Sequence, residues 1–179
     1  MTDTLPSKTG PVTQSFGSLE ASFLGLAPDV LLRSVSALNR LLAHTTALRD
    51  LYKKAHWQTS GANFYELHLL FDKHYAEQVA IMDTIAERVQ TLGGVALALG
   101  ADVAEETRLA RAPSGIESSR DQLLRLLRAH EFILGEARPL ARAAAADGDE
   151  GTNDLIVSSV VRGNELQSWF VRRHLQAAG

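Results

Sequence analysis

The chain has 179 residues, 45% hydrophobic and 22% charged, with a formal charge of −3 and a pI near 6.1, so one domain of ordinary size with a substantial core is expected. The absence of cysteine excludes disulfide staples, thiolate zinc sites and a cysteine nucleophile, and fits a reducing, cytoplasmic setting. The mildly acidic balance argues against a domain that grips nucleic acid by bulk charge, which usually shows as a strong basic excess, and leaves local patches open.

Residues 1–26 are rich in Ser, Thr, Gly and Pro with scattered apolar positions. Such a composition does not offset the entropy of ordering a packed element, so a flexible N-terminal arm is expected ahead of a folded domain spanning 27–179. The first twenty residues have neither the basic start nor the continuous apolar stretch of a signal peptide. Nowhere do eighteen apolar residues run together, as a membrane-spanning helix requires.

From Ala27-Pro28-Asp29 the pattern changes: Pro28 suits a first helical turn, and Leu31, Val35, Leu38, Leu42, Leu48, Tyr52 and Ala55 recur at helical steps, which predicts a helix to about Trp57. Residues 59–63 read as a turn, with Asn63 and Glu66 as an N-cap and its capping-box partner. A second helix then runs to Leu92 and stops at Gly93-Gly94. Residues 95–115 form a long connection with Pro113 and Gly115, and a short helix is expected around Asp102 to Leu109. A third helix carries Ile116, Leu123, Leu127, Ile133, Leu134 and Ala137, and Pro139 is expected to kink or end it. Asp147-Gly148-Asp149-Glu150-Gly151 leads into a fourth, with Leu155, Ile156, Val160, Leu166, Trp169 and Phe170. Four helices joined short, long, short predict an all-α, ferritin-like four-helix bundle with a single long crossover that contains a short helix.

The second helix carries His68 and Asp72, then Asp83 and Glu87, each pair spaced four apart. At about 100° per residue they fall at roughly 0°, 40°, 60° and 100° on the wheel, one continuous polar sector with Tyr75, Ala76 and Val79 between the pairs. His56, at the end of the first helix, is one short turn from His68. Imidazole and carboxylate with no thiolate suit iron, zinc or manganese. Either pair alone is usually a solvated surface pair; both on one face, with His56 preceding, favour a metal.

Asp72 and Asp83 are eleven residues apart, about 16 Å along a straight helix, whereas ligands lie roughly 2 Å from the metal they share. One chain cannot bring both pairs to one ion. Two copies of the helix packed antiparallel about a two-fold axis would set His68 and Asp72 of one chain opposite Asp83 and Glu87 of the other, giving two sites about 22 Å apart.

The stretch Lys53-Lys54-Ala55-His56-Trp57, Gly61-Ala62-Asn63-Phe64, Glu66-Leu67-His68, Asp72, Asp83-Thr84-Ile85-Ala86-Glu87-Arg88 and Leu92-Gly93-Gly94 closely resembles the Dps mini-ferritins, the DNA-binding proteins of starved cells, in helix order from about residue 28 to 175. The resemblance implies a dodecameric hollow shell built from two-fold dimers, with iron bound between subunits by His56, His68 and Asp72 of one chain and Asp83 and Glu87 of its neighbour. It implies a ferroxidase that oxidises Fe(II), preferably with hydrogen peroxide, and stores ferric mineral inside, protecting against oxidative damage. Trp57 matches an aromatic implicated in that family in taking up stray oxidising equivalents. The chain has no Glu-x-x-His pair, the signature of ferritins with a site inside one bundle.

Carboxylates favour Fe(III) over Fe(II), so Asp72, Asp83 and Glu87 should favour oxidation while His56 and His68 help hold the entering Fe(II). Two irons giving one electron each reduce peroxide to water without releasing hydroxyl radical.

The alternative is a nucleoid-associated DNA-binding protein with secondary ferroxidase activity. Several Dps proteins bind DNA through a lysine-rich arm, but up to residue 30 the only basic side chain here is Lys8, against Asp3, Glu20 and Asp29, so the arm is not expected to grip DNA. A structural helical oligomer with a decayed site is disfavoured by all five ligand types being present. Asp147, Asp149, Glu150 and Asp154 read either as the lining of an iron-attracting pore or as an ordinary helix N-terminus. Arg172-Arg173-His174 reads as a helix-end cluster or intersubunit contact, Trp169 and Phe170 as core or interface, and His44, His74 and His130 as structural or surface residues.

Overall fold

The structure, a computed structural model, describes residues 10–176. Its helices are α1 (Pro28–Gln58), α2 (Phe64–Thr91), the short α3 (Gly100–Glu106), α4 (Ser119–Ala146), α5 (Glu150–Leu155) and α6 (Arg162–Leu175), with a π-helical segment, Ile156–Val161, joining α5 to α6. Backbone dihedrals stay helical through both joints, so α5, the π segment and α6 act as one fourth helix. No strand occurs among the described residues. α1 pairs with α2, α4 pairs with the fourth helix, and α1 also packs on α4. This is the expected bundle, with residues 92–118 as its crossover.

The core is one continuous cluster. Leu38, Leu41, Leu48 and Tyr52 from α1, Phe71, Ile85 and Val89 from α2, Ile133 and Ala137 from α4, and Ile156 and Val160 from the fourth helix are fully buried in it. Each helix thus contributes an apolar stripe at steps of three and four, the arrangement that buries a helix's face without burying its charges. On the far side of α1, Asn39 clamps the crossover: its amide nitrogen donates to the Val95 carbonyl at 3.0 Å, and its oxygen accepts from the Leu97 amide at 2.9 Å.

Helix ends follow local chemistry. The α2 terminus closes with the Gly93 amide donating to the Gln90 carbonyl and the Gly94 amide to the Val89 carbonyl, with Gly93 at φ +85°. That pattern satisfies orphaned carbonyls and requires a left-handed residue after the helix, which glycine supplies without strain. Gly94 is needed for closeness: a Cβ there would lie 2.6 Å from a Val35 methyl.

Three local features add detail to the bundle. α4 passes through Pro139 without ending. The bond that Pro139 removes is to the Gly135 carbonyl; both residues are exposed, so water can satisfy that carbonyl, while Leu134, Ala137 and Ala141 hold the helix from its buried side. The fourth helix contains a π segment where a uniform helix was expected; the Asn164 amide donates to the Val160 carbonyl there at 2.7 Å. The segment before α1 is tied down from Gln14 onward: its side chain and the Glu20 amide both donate to the Gly93 carbonyl, at 2.9 and 2.8 Å, and Leu19, Leu24 and Leu26 pack against the core. Its composition understated those three leucines. Residues 1–9, with Asp3 and Lys8, lie outside the described residues.

Candidate metal centre

The α1–α2 hairpin brings His56 and His68 together. α1 ends at Gln58, so the His56 carbonyl is one of the last four that a helix leaves without an amide partner. The His68 ring supplies one: Nδ1 donates to the His56 carbonyl at 2.9 Å, and reciprocally the His56 Nδ1 donates to the His68 carbonyl at 2.8 Å. The two imidazoles stack with centroids 3.8 Å apart and planes 23° from parallel, and Phe64 lies against His68 at 5.2 Å.

These bonds fix the chemistry of the rings. A backbone carbonyl only accepts, so each Nδ1 carries the proton and each Nε2 presents a lone pair, the tautomer that binds a metal. Nε2 of His56 lies 3.8 Å from Oδ1 of Asp72. Two donors roughly 2 Å from a shared ion sit about 3 Å apart at right angles, so a small closure brings this pair to bonding geometry.

Asp72 is already engaged. Lys53 donates to its Oδ1 at 2.6 Å, and the same ammonium lies 4.5 Å over the Tyr75 ring. The Lys53 hydrogen bond holds the Asp72 carboxyl below the usual carboxylate range, burial opposes this, and the Lys53 charge reinforces it. The carboxylate is therefore ionised near neutral pH, with a lysine where a cation would sit. Spacing gave no sign of Lys53 in this role: three residues before His56, it resembles any solvated charge on the outer face of a helix.

Asp83 and Glu87 lie exposed about three and four turns beyond Asp72 along α2, and neither carboxylate has a partner among the described residues. The structure thus brings His56, His68 and Asp72 together and leaves Asp83 and Glu87 apart from them. Among the described residues no three of His, Asp and Glu within this single chain converge on one ion. Trp57, next to His56, is 71% exposed.

The acidic run divides. Asp149 is the buried N-cap of α5, accepting from the Thr152 amide at 3.0 Å, Ser34 at 2.7 Å and Arg88 at 2.6 Å. Burial pushes its carboxyl up, and bonds from Thr152 and Ser34 with the Arg88 charge outweigh that and hold it below its ordinary value. Asp147 caps the end of α4 and pairs with Arg33 at 2.8 Å. Glu150 and Asp154 face solvent. Two of the four acids are therefore occupied in holding helix ends.

A ferritin-like domain family matches residues 35–178. The chain is similar to the solved structure of DpsC from Streptomyces coelicolor, with a TM-score of 0.93 and 50% identity, covering 94% of this chain and 98% of that one. It is similar, at a TM-score of 0.81 and 26% identity over 89% of this chain and 99% of the other, to a Vibrio cholerae Dps protein described as a member of a broad superfamily of ferritin-like diiron-carboxylate proteins. A nutrient stress-induced DNA-binding protein from Nostoc sp. is 35% identical over 162 residues, 88% of this chain and 85% of the relative.

Proposed function

Because the chain belongs to the ferritin-like family and, within it, to the Dps proteins, we propose that it is an iron-oxidising and iron-storing shell protein that protects DNA and other targets by removing Fe(II) and peroxide together. The observation that carries this reading is the reciprocal locking of His56 and His68, which frees both Nε2 atoms beside an ionised Asp72 while Asp83 and Glu87 stand unpartnered on the same helix. A homo-oligomer follows from that separation: a second copy of α2 running antiparallel supplies Asp83 and Glu87 to the first copy's histidines. A dodecamer of such dimers, with a hollow interior for ferric mineral, is the assembly we assign by likeness to the family.

Each residue has a part. His56 and His68 take up Fe(II) as substrate through Nε2. Asp72, with Asp83 and Glu87 of the second copy, supplies negative charge that favours Fe(III). Hydrogen peroxide accepts one electron from each of two irons and two protons from solvent, and leaves as two waters. Trp57, exposed beside His56, is assigned to intercept stray oxidant. The site lies in a protein of the cytoplasm, and no helix among the described residues is long and apolar enough to cross a membrane.

DNA is protected here by chemistry rather than by a cationic grip. The arm carries Lys8 against Asp3, Glu20 and Asp29, and a shell bearing many such arms repels phosphate at long range. A low-salt gel shift with excess duplex is expected to show no retardation; retardation that fades with added salt favours the DNA-binding alternative.

The test of the main reading is His56→Ala combined with His68→Ala. Assembly should persist, because both rings are only half-buried and neither belongs to the core cluster, and peroxide-driven Fe(II) oxidation should slow at least tenfold, the loss of about 1.4 kcal/mol of binding or more. Wild-type rates in the double variant refute the site.

A further inference from the structure

Away from the candidate metal centre, the middle of the bundle holds a polar chain that iron chemistry at the surface does not require. Tyr52, His74, His130, Asn164, Gln78 and Gln167 are all at most 1% exposed, and they come from α1, α2, α4 and α6. The Tyr52 hydroxyl lies 2.5 Å from His130 Nε2 and 3.1 Å from His74 Nδ1, and His130 Nδ1 lies 2.7 Å from Asn164 Oδ1.

The directions of these bonds are determined. Asn164 Nδ2 donates to the Val160 carbonyl, so Oδ1 faces His130 and can only accept. His130 Nδ1 therefore carries the ring proton, Nε2 is a bare lone pair, and the Tyr52 hydroxyl donates to it. Having given its proton there, the Tyr52 oxygen accepts from His74 Nδ1. Burial raises the phenol well above its ordinary value and pushes His130 down to about 4. The resting pair is thus a neutral phenol donating a short hydrogen bond to a neutral imidazole, in a place no solvent reaches.

We infer that Tyr52 and His130 form a buried one-electron donor that quenches oxidant of hydroxyl-radical strength escaping the iron–peroxide site, an inference that rests on the function proposed above. The step balances. Hydroxyl radical takes one electron and leaves as hydroxide, Tyr52 gives the electron, and its phenolic proton passes to His130 Nε2, leaving a neutral tyrosyl radical beside an imidazolium. Asn164 Oδ1, already on the Nδ1 proton, supports that imidazolium.

Position and selectivity agree. Tyr52 sits one turn before His56, about 6 Å along α1, and its ring is 6.2 Å from that of Phe71, the residue preceding Asp72. Tyr75 lies three residues beyond Asp72, but the Lys53 ammonium over its ring opposes loss of an electron. Trp57 is mostly exposed, so a hole on it remains open to reaction at the surface. At Tyr52 the proton has a fixed acceptor and the radical is enclosed.

The experiment uses the assembled protein with ring-deuterated tyrosine, given Fe(II) and peroxide and freeze-quenched for electron paramagnetic resonance, with ferric product followed in parallel. The chain has three tyrosines, so in a Tyr65→Phe, Tyr75→Phe background any tyrosyl signal belongs to Tyr52. The expected result is a tyrosyl radical in that background, its loss in Tyr52→Phe at an unchanged rate of Fe(II) oxidation, and in His130→Gln a high-field g1 value shifted to that of a weakly hydrogen-bonded phenoxyl. A purely packing role for His130 does not move g1. Normal ferric product with no tyrosyl signal in the Tyr65→Phe, Tyr75→Phe background overturns the inference and leaves the iron function standing. If no ferric product forms, the function fails instead, and azide radical generated by pulse radiolysis decides the pair by itself: transient tyrosyl absorption in that background supports it, and oxidation confined to tryptophan overturns it.

Discussion

Replacing Lys53 with methionine keeps the length of the side chain and removes the ammonium that occupies Asp72. A cation entering between His56 and Asp72 must displace that 2.6 Å bond and then sit near a positive charge. The Lys53 and Asp72 side chains are 26% and 52% exposed, so solvent screens the pair, and its value is about 1 kcal/mol, the upper range for such surface pairs. Removing the competitor should therefore tighten binding about fivefold at low ionic strength, by the usual relation of affinity to free energy. The assay is anaerobic titration calorimetry of the assembled protein with Fe(II), and the gain should shrink as salt rises, because screening already weakens the lysine. Unchanged or weaker binding in Lys53→Met refutes the view that the lysine holds the cation's place.

Two further outcomes concern stability. His130 is held down to about 4 by burial, against about 6.5 when unfolded, so above pH 6.5 neither state is charged and the group is neutral to stability. As pH falls from 6.5 to 4 the unfolded chain takes up a proton that the native core refuses, and stability should drop by on the order of 3 kcal/mol. Urea midpoints measured across that window should fall more steeply for wild type than for His130→Gln, and parallel curves contradict the assignment. Gly94→Ala places a methyl 2.6 Å from one methyl of Val35 and 2.7 Å from the other, where Val35 is itself buried, and should cost about 1–3 kcal/mol as overpacking does. Thermal unfolding should show the loss, with recovery on adding Val35→Ala; no recovery places the strain elsewhere.

Much of the bundle was legible because its helices are amphipathic and punctuated. The Leu31-to-Ala55 spacing located α1, and Gly93-Gly94 marked the end of α2 because a left-handed closure needs glycine. Pro139 left open whether the helix kinks or ends, because proline's penalty depends on whether the freed carbonyl is buried, and at exposed Gly135 water can satisfy it. The π segment leaves no mark on a pattern in which Leu155, Ile156 and Val160 fit an ordinary helix. At the candidate centre, His68, Asp72, Asp83 and Glu87 share one helix, so arithmetic on that helix singled them out as candidates, and His56 followed from the short hairpin. Tyr52, His130 and Asn164 come from three helices, and only tertiary packing brings them within hydrogen-bond reach. No spacing rule along one segment reports such a meeting.

The central claim, that a second copy completes each centre, is tested most directly by mixing two inactive proteins. One carries His56→Ala with His68→Ala, the other Asp83→Ala with Glu87→Ala, and the two are co-assembled in equal amounts from dissociated subunits. In a mixed dimer one site loses both half-sets and the other keeps both, so random pairing should restore about a quarter of the wild-type sites and a matching share of peroxide-driven Fe(II) oxidation. A mixture no more active than its two components contradicts the shared centre.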